Sequence, residues 1–151
     1  MMRFLLVDRV TACDPGGAVR GVKCVAMSED VLEYHFPGNP IMPGTLLLEA
    51  MVQLAGWGEA ARSNFESWFL MDGVRRAAFY GFARPGDTVD LEVEPLEPPV
   101  SGRRAYRAEG SVQGTRKVAA EFEGELVALA DLDDPEAVRE AFVRLTRARD
   151  W

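Results

Sequence analysis

The chain predicts an α+β fold in which an antiparallel sheet wraps one long buried helix, with a second helix at the C-terminal end. Three observations predict it. Strand-like stretches occupy the first part of the chain. A single helical stretch beginning at Thr45 is apolar on nearly every side. Four further strand-like stretches then follow one another, divided by turn signals, before a capped amphipathic segment.

Phe4 to Ala12 is rich in β-formers and runs into Asp14-Pro15-Gly16-Gly17, a turn. Val19 to Met27 alternates, Val19, Gly21 and Lys23 against Arg20, Val22 and Cys24, so a hairpin is expected. Residues 35–44 contain Pro37, Pro40 and Pro43. That density forbids a helix interior or a regular central strand and predicts a stiff, extended loop. From Thr45 to about Phe65 the sequence reads as a helix. Leu46, Leu47, Leu48, Ala50, Met51, Val52, Leu54 and Ala55 predict burial all round, with emergence near Glu59 and Arg62. Trp68 to Phe79, Thr88 to Leu96, Arg103 to Gln113 and Arg116 to Ala130 are the later strands. Their turns are Pro85-Gly86-Asp87, Pro98-Pro99 and Gln113-Gly114. Val89, Leu91 and Val93 alternate with Asp90, Glu92 and Glu94, which gives one core face and one wet face. In the last segment Asp134 is an N-cap, Pro135 takes the first helical position and Glu136 suits the positive end of the dipole. Val138, Ala141, Phe142 and Leu145 form one apolar stripe, and Arg144, Arg147 and Arg149 lie toward the negative end. This reads as a docking helix, packed on the body or on a neighbouring subunit, with a membrane-surface or nucleic-acid helix as the alternative.

With 151 residues, 48% apolar and 27% charged, the chain fits one ordinary globular domain. A net charge of −7 argues against a general nucleic-acid binder. Arg75–Arg76, Arg103–Arg104–Arg107 and the C-terminal arginines read as solvated charged faces. Cys13 and Cys24 are too few for a disulfide framework and lack CxxC spacing. They read as reduced thiols of a cytoplasmic protein. No apolar run is long enough for a secretory signal or a membrane span. Four zinc ligands are not available, and P-loop, GxGxxG and G-x-S-x-G patterns do not occur.

The residues suited to chemistry cluster around the proline loop. His35, the only histidine, opens it. A lone histidine is often structural, but a rigid loop holds a side chain at low entropic cost, as a catalytic base requires. Glu49 is the only ionisable group between Thr45 and Gly58. Burial there favours the neutral acid, a proton donor, while the alternative is a carboxylate stabilised by the helix start. Gln53 lies one turn later, placed either to hold a substrate hydroxyl or water or to satisfy Glu49. Gly44 stands where the loop enters the helix. Unpaired N–H groups there stabilise a carbonyl oxygen that gains negative charge, although a turn glycine is the plainer reading. Together these groups suit proton removal beside a thioester carbonyl with loss of a β-hydroxyl. That reaction calls for no metal, flavin or nucleotide.

His35-Phe36-Pro37-Gly38-Asn39-Pro40-Ile41-Met42-Pro43-Gly44, followed by Glu49-Ala50-Met51-Val52-Gln53, resembles the FabZ-type 3-hydroxyacyl-acyl carrier protein dehydratases of the FabA/FabZ family. Phe4-Leu5-Leu6-Val7-Asp8-Arg9-Val10 and Arg84-Pro85-Gly86-Asp87 resemble further family segments, and the similarity spans roughly residues 3 to 130. The resemblance implies a hot-dog fold over residues 1–130, with residues 131–151 a helical extension of the same domain. It implies dehydration of a (3R)-3-hydroxyacyl thioester on an acyl carrier protein to the trans-2-enoyl thioester, in fatty acid, related lipid, polyketide or aryl-polyene biosynthesis. It implies a homodimer, open to higher assembly, whose active sites are shared. His35 of one subunit is then the base and Glu49 of the other the acid. The Gly44 N–H binds the thioester carbonyl, the Ile41 carbonyl orients the imidazole, and Gln53 helps order hydroxyl or water. A glutamate at position 49, where the FabA type carries aspartate, favours plain dehydration over coupled isomerisation. Hot-dog thioesterase or isomerase chemistry and a non-catalytic carrier-binding subunit are the alternatives.

Four departures from the family pattern point to a specialised pathway. The usual N-terminal helical lead is not seen before the first strand. Tyr34 stands where glycine is usual before the histidine. Tyr80, Gly81 and Phe82 replace basic residues and proline. The helix after Asp134 runs past the usual end.

Overall fold

A computed structural model describes residues 4–147 of the chain. Its six strands are β1 (Arg9–Cys13), β2 (Val19–Cys24), β3 (Ser67–Phe79), β4 (Thr88–Pro95), β5 (Arg103–Val112) and β6 (Thr115–Ala128). The helices are α1 (Val31–Tyr34), α2 (Gly44–Arg62) and α3 (Pro135–Thr146), with a 3-10 turn at Leu129–Asp131. The strands form one antiparallel sheet in the order β1-β2-β4-β5-β6-β3, curled around α2. This is the sheet-around-helix arrangement that the sequence predicts, and the hot-dog fold that the family resemblance implies.

Alternation decides which face of the sheet is core. Val89, Leu91 and Val93 are buried while Thr88, Asp90 and Glu94 are exposed. Val19, Tyr106, Ala108, Val118, Ala120 and Phe122 join them against Leu47, Ala50, Met51, Leu54 and Ala55 of α2. Phe69, Tyr106 and Phe122 stack in the middle with ring centroids 4.9 to 5.9 Å apart. The β5–β6 connection is a two-residue hairpin at Gln113 and Gly114. Both have positive φ, which matches the twist of the flanking strands.

Several sequence-based expectations need correction. Regular pairing in the first strand begins at Arg9, because residues 4–7 cross over α2 instead of extending the ladder. The short helix α1 precedes the proline loop and carries no periodic signal in its four residues. The loop itself is folded back rather than extended. Phe36 and Asn39 exchange backbone hydrogen bonds of 3.0 and 2.9 Å, Ile41 N–H donates to the His35 carbonyl at 2.8 Å, and Gly38 turns the chain at φ 75°.

The helix α2 is not buried all round. The sheet covers the Leu47, Ala50, Met51 and Leu54 side, and the Leu46, Glu49, Gln53 and Trp57 side is only half-buried. Nor does the helix emerge at Glu59, which is 5% exposed. One Glu59 carboxylate oxygen accepts from the Tyr106 hydroxyl, from Arg104 Nε at 2.7 Å and from Arg62 at 3.0 Å. The charge goes inward because β5 delivers two donors to it.

Arg103, the neighbour of Arg104 on β5, points outward to Asp72 at 2.8 Å, and Arg75 pairs with Glu123 at 2.9 Å. The Arg103 and Arg75 parts of the arginine clusters are therefore solvated faces, while Arg104 is not.

Asp134 caps α3, its carboxylate accepting from Glu136 N–H at 3.2 Å with Pro135 at the first position. The stripe Val138, Phe142 and Leu145 packs on the body of the same chain. Arg149 lies outside the described residues.

Candidate active site

Two cavities flank the N-terminal half of α2, and the candidate residues divide between them. The first, of about 510 Å³, is lined by His35, Met42, Pro43, Gly44, Thr45, Leu47 and the Phe79–Phe82 stretch. The proline loop supplies its histidine, the helix start supplies Gly44, and the end of β3 supplies the aromatic wall. Met42 N–H donates to the Ala83 carbonyl at 2.8 Å, which ties the loop to that wall.

Within this cavity His35 Nδ1 lies 2.8 Å from the Ile41 carbonyl oxygen. A carbonyl only accepts, so Nδ1 carries the proton and Nε2 keeps a free lone pair. The imidazole is also stacked on Phe36 with centroids 4.2 Å apart. Gly44 is the first residue of α2, and its N–H has no partner among the described residues. A Cβ on Gly44 would stand 2.6 Å from the Phe79 ring, so glycine is what lets that ring close over the helix start. A base with a free nitrogen and an unused helix N–H therefore share one cavity.

Glu49 and Gln53 line the second cavity, of about 480 Å³, together with Phe4, Leu5, Leu46, Trp57, Trp68, Leu129, Leu132, Asp133 and Val138. The two residues are one turn apart, and Gln53 Nε2 donates to Glu49 Oε1 at 3.0 Å. Gln53 is otherwise occupied by the N-terminal segment. Its Nε2 donates to the Phe4 carbonyl at 2.8 Å and its Oε1 accepts from Leu6 N–H at 3.0 Å. Both amide protons are used, so of the two roles open to Gln53 this geometry supports holding Glu49. Glu49 is half-buried in the single chain rather than enclosed.

The structure thus brings His35, Ile41 and Gly44 together and sets Glu49 with Gln53 in a different cavity of the same chain. No sequence signal marks Phe79 over Gly44, or Leu129, Leu132 and Val138 in the cavity of Glu49. These come from distant elements and are marked by no local pattern. Among the described residues no three His, Cys, Asp or Glu side chains converge to hold a metal, and no helix is long and apolar enough to cross a membrane.

A FabA-like domain model matches residues 1–123. A 3-hydroxyacyl-[acyl-carrier-protein] dehydratase FabZ from Symbiobacterium thermophilum is 39% identical over 140 residues, 90% of this chain and 94% of that protein. The FabZ of Sorangium cellulosum is 40% identical over 117 residues, 74% of each chain. Among solved structures, the dehydratase heterocomplex ApeI:P from Xenorhabdus doucetiae superposes with a TM-score of 0.64 at 16% identity, covering 91% of this chain and 89% of that one. The fluoroacetyl-CoA thioesterase FlK gives a TM-score of 0.64 at 14% identity, covering 83% and 94%. At those identities the structural likenesses speak for the fold alone.

Proposed function

The chain belongs to the FabA-like family, among its FabZ-type members, and from that footing we propose that it dehydrates (3R)-3-hydroxyacyl groups carried on an acyl carrier protein. The observation that carries the reading is the first cavity. His35, its Nδ1 proton committed to the Ile41 carbonyl, offers Nε2 beside an unpaired helix N–H at Gly44.

The chemistry follows from those groups. The thioester carbonyl oxygen accepts from Gly44 N–H, which stabilises the charge that builds there as the C2 proton leaves. His35 Nε2 takes that proton. Its electron pair becomes the C2–C3 double bond as the C3–O bond breaks, and Glu49 protonates the departing hydroxyl to water. Passing the proton from His35 back to Glu49 resets the site. Gln53 holds the Glu49 carboxyl in place, and no cofactor enters the balance.

The catalytic unit is a homodimer. His35 and Glu49 open into separate cavities of one chain, so a second copy is needed to bring a base and an acid to one substrate. The 13-residue edge strand β3 supports this. Its outer edge has no partner among the described residues and exposes Leu70, Val74 and Phe79, the kind of edge that proteins cover. The unpaired thiols Cys13 and Cys24 suit the reducing cytoplasm. Residues 131–147 pack as an extension of the same domain.

The test is a mass assay on 3-hydroxyacyl-carrier protein. Loss of one water by the parent protein, abolished in His35→Ala and Glu49→Gln variants that remain folded, is the expected result. Release of free acid would assign a thioesterase instead, a shifted double bond an isomerase, and carrier binding without turnover a non-catalytic subunit.

A further inference from the structure

The cavity beside Glu49 has an end wall, and much of that wall comes from chain beyond the family match, which stops at residue 123. Leu46, Glu49, Gln53 and Trp57 are spaced three or four residues apart, so they form a stripe along α2 and the cavity runs beside the helix axis. Past Glu49 its lining is apolar except for Gln53 and Asp133. Trp57 and Trp68 close the far end, ring edge to ring face with centroids 5.2 Å apart. Trp68 can lie there because residue 56 is glycine, where any added Cβ would strike the indole. Leu129, Leu132 and Val138 complete the wall.

This wall is braced. Phe142 of α3 packs on Trp57 and on Phe65, with centroids 6.0 and 5.6 Å apart. Arg139 sits 4.5 Å over the Phe65 ring and donates to the Asn64 carbonyl at 3.2 Å. A loose tail would yield to an incoming chain, whereas a helix fixed at two aromatic residues sets a limit.

We propose that the segment from Leu129 to Phe142 is a chain-length ruler for the acyl group, with Leu132 and Val138 as its specificity-determining surfaces. The inference rests on the dehydratase reading, which places the hydroxyl-bearing carbon at Glu49. From Glu49 to Trp57 is eight residues of helix, or about 12 Å at the usual rise. An extended chain advances about 1.2 Å per bond, so the cavity admits about ten carbons past the hydroxyl-bearing one. The preferred substrates are therefore 3-hydroxyacyl chains of up to about thirteen carbons in all.

The experiment measures kcat/KM on 3-hydroxyacyl-carrier proteins of increasing length, for the full chain and for Leu132→Trp, Val138→Trp, Leu132→Ala and Val138→Ala. Leu132 is 46% exposed and Val138 half-buried, so these changes spare the core. The readout is the ratio of long-chain to short-chain kcat/KM, which a general loss of activity leaves unmoved. The tryptophan variants should lower that ratio by roughly fourfold for each methylene they exclude, and the alanine variants should raise it. Should the tryptophan variants fail to fold, the alanine pair still decides. A parent enzyme active on the series, with the same length profile in every folded variant, overturns the ruler alone. A parent that dehydrates no length overturns the dehydratase reading and the ruler with it.

Discussion

The Nδ1 atom of His35 and the carbonyl oxygen of Ile41 lie 2.8 Å apart across the fold of the proline loop. The same turn is closed from the other side, since Ile41 N–H donates to the His35 carbonyl at 2.8 Å. The two residues thus hold each other by backbone and side chain, and the imidazole is fixed in one tautomer. His35→Ala should lower kcat by about 10²- to 10⁴-fold, the range for loss of a general base, with little change in melting temperature because the ring is half-buried in a surface loop. Single-turnover kinetics and a thermal melt check both halves of that statement.

Separate cavities for His35 and Glu49 make a different prediction. His35→Ala and Glu49→Gln chains, each inactive alone, should regain activity when co-expressed. A mixed dimer rebuilds one intact site from the two unmutated residues, so random assortment gives about a quarter of the parent activity. No recovery in a preparation shown by mass to contain mixed dimers would place both residues on one chain's substrate.

Much of this was legible in the sequence where the cause was local. The capping of α3 follows from Asp134 and Pro135, and the β5–β6 turn from Gln113-Gly114. The alternation of Val89, Leu91 and Val93 fixes the core face of β4. Local pattern failed where the partner came from far away. Glu59 reads as the point where α2 meets water, since nothing near it announces Arg104 and Tyr106. Leu46 reads as core, but the sheet curls past it and leaves a cavity. The proline loop reads as extended because proline excludes helix, yet Gly38 permits the reversal that sets His35 against Ile41.

The contact between Gly44 and Phe79 predicts a specific suppression. In Gly44→Ala the new Cβ would stand 2.6 Å from the Phe79 ring, so the ring or the helix start must move. A displacement of about 1 Å at an anion-stabilising N–H costs roughly 10²-fold in turnover. Shortening the ring side chain in Gly44→Ala/Phe79→Ala should restore part of that loss. Kinetics of the two single variants and the double variant test it, and a double variant no better than Gly44→Ala would show that the ring is not what the methyl group displaces.

The charge cluster at the end of α2 governs stability rather than chemistry. Glu59→Ala leaves Arg104 and Arg62 facing a buried site with no anion, and should cost about 3–5 kcal/mol in urea denaturation. Tyr106→Phe removes a donor to that carboxylate and an acceptor 3.4 Å from Arg104 Nε, and should cost about 1–3 kcal/mol. The phenol also adds a pH dependence. Burial first, and the Glu59 carboxylate second, push the Tyr106 hydroxyl well above the ordinary tyrosine value. Above pH 10 the unfolded chain gives up that proton while the folded chain keeps it. The folded state then holds more protons, and stability falls as pH rises. Below pH 10 both states are protonated and the contribution is constant. The parent protein should therefore lose stability between pH 9 and 11 more steeply than Tyr106→Phe, and identical slopes in the two proteins would contradict the placement of the hydroxyl against Glu59.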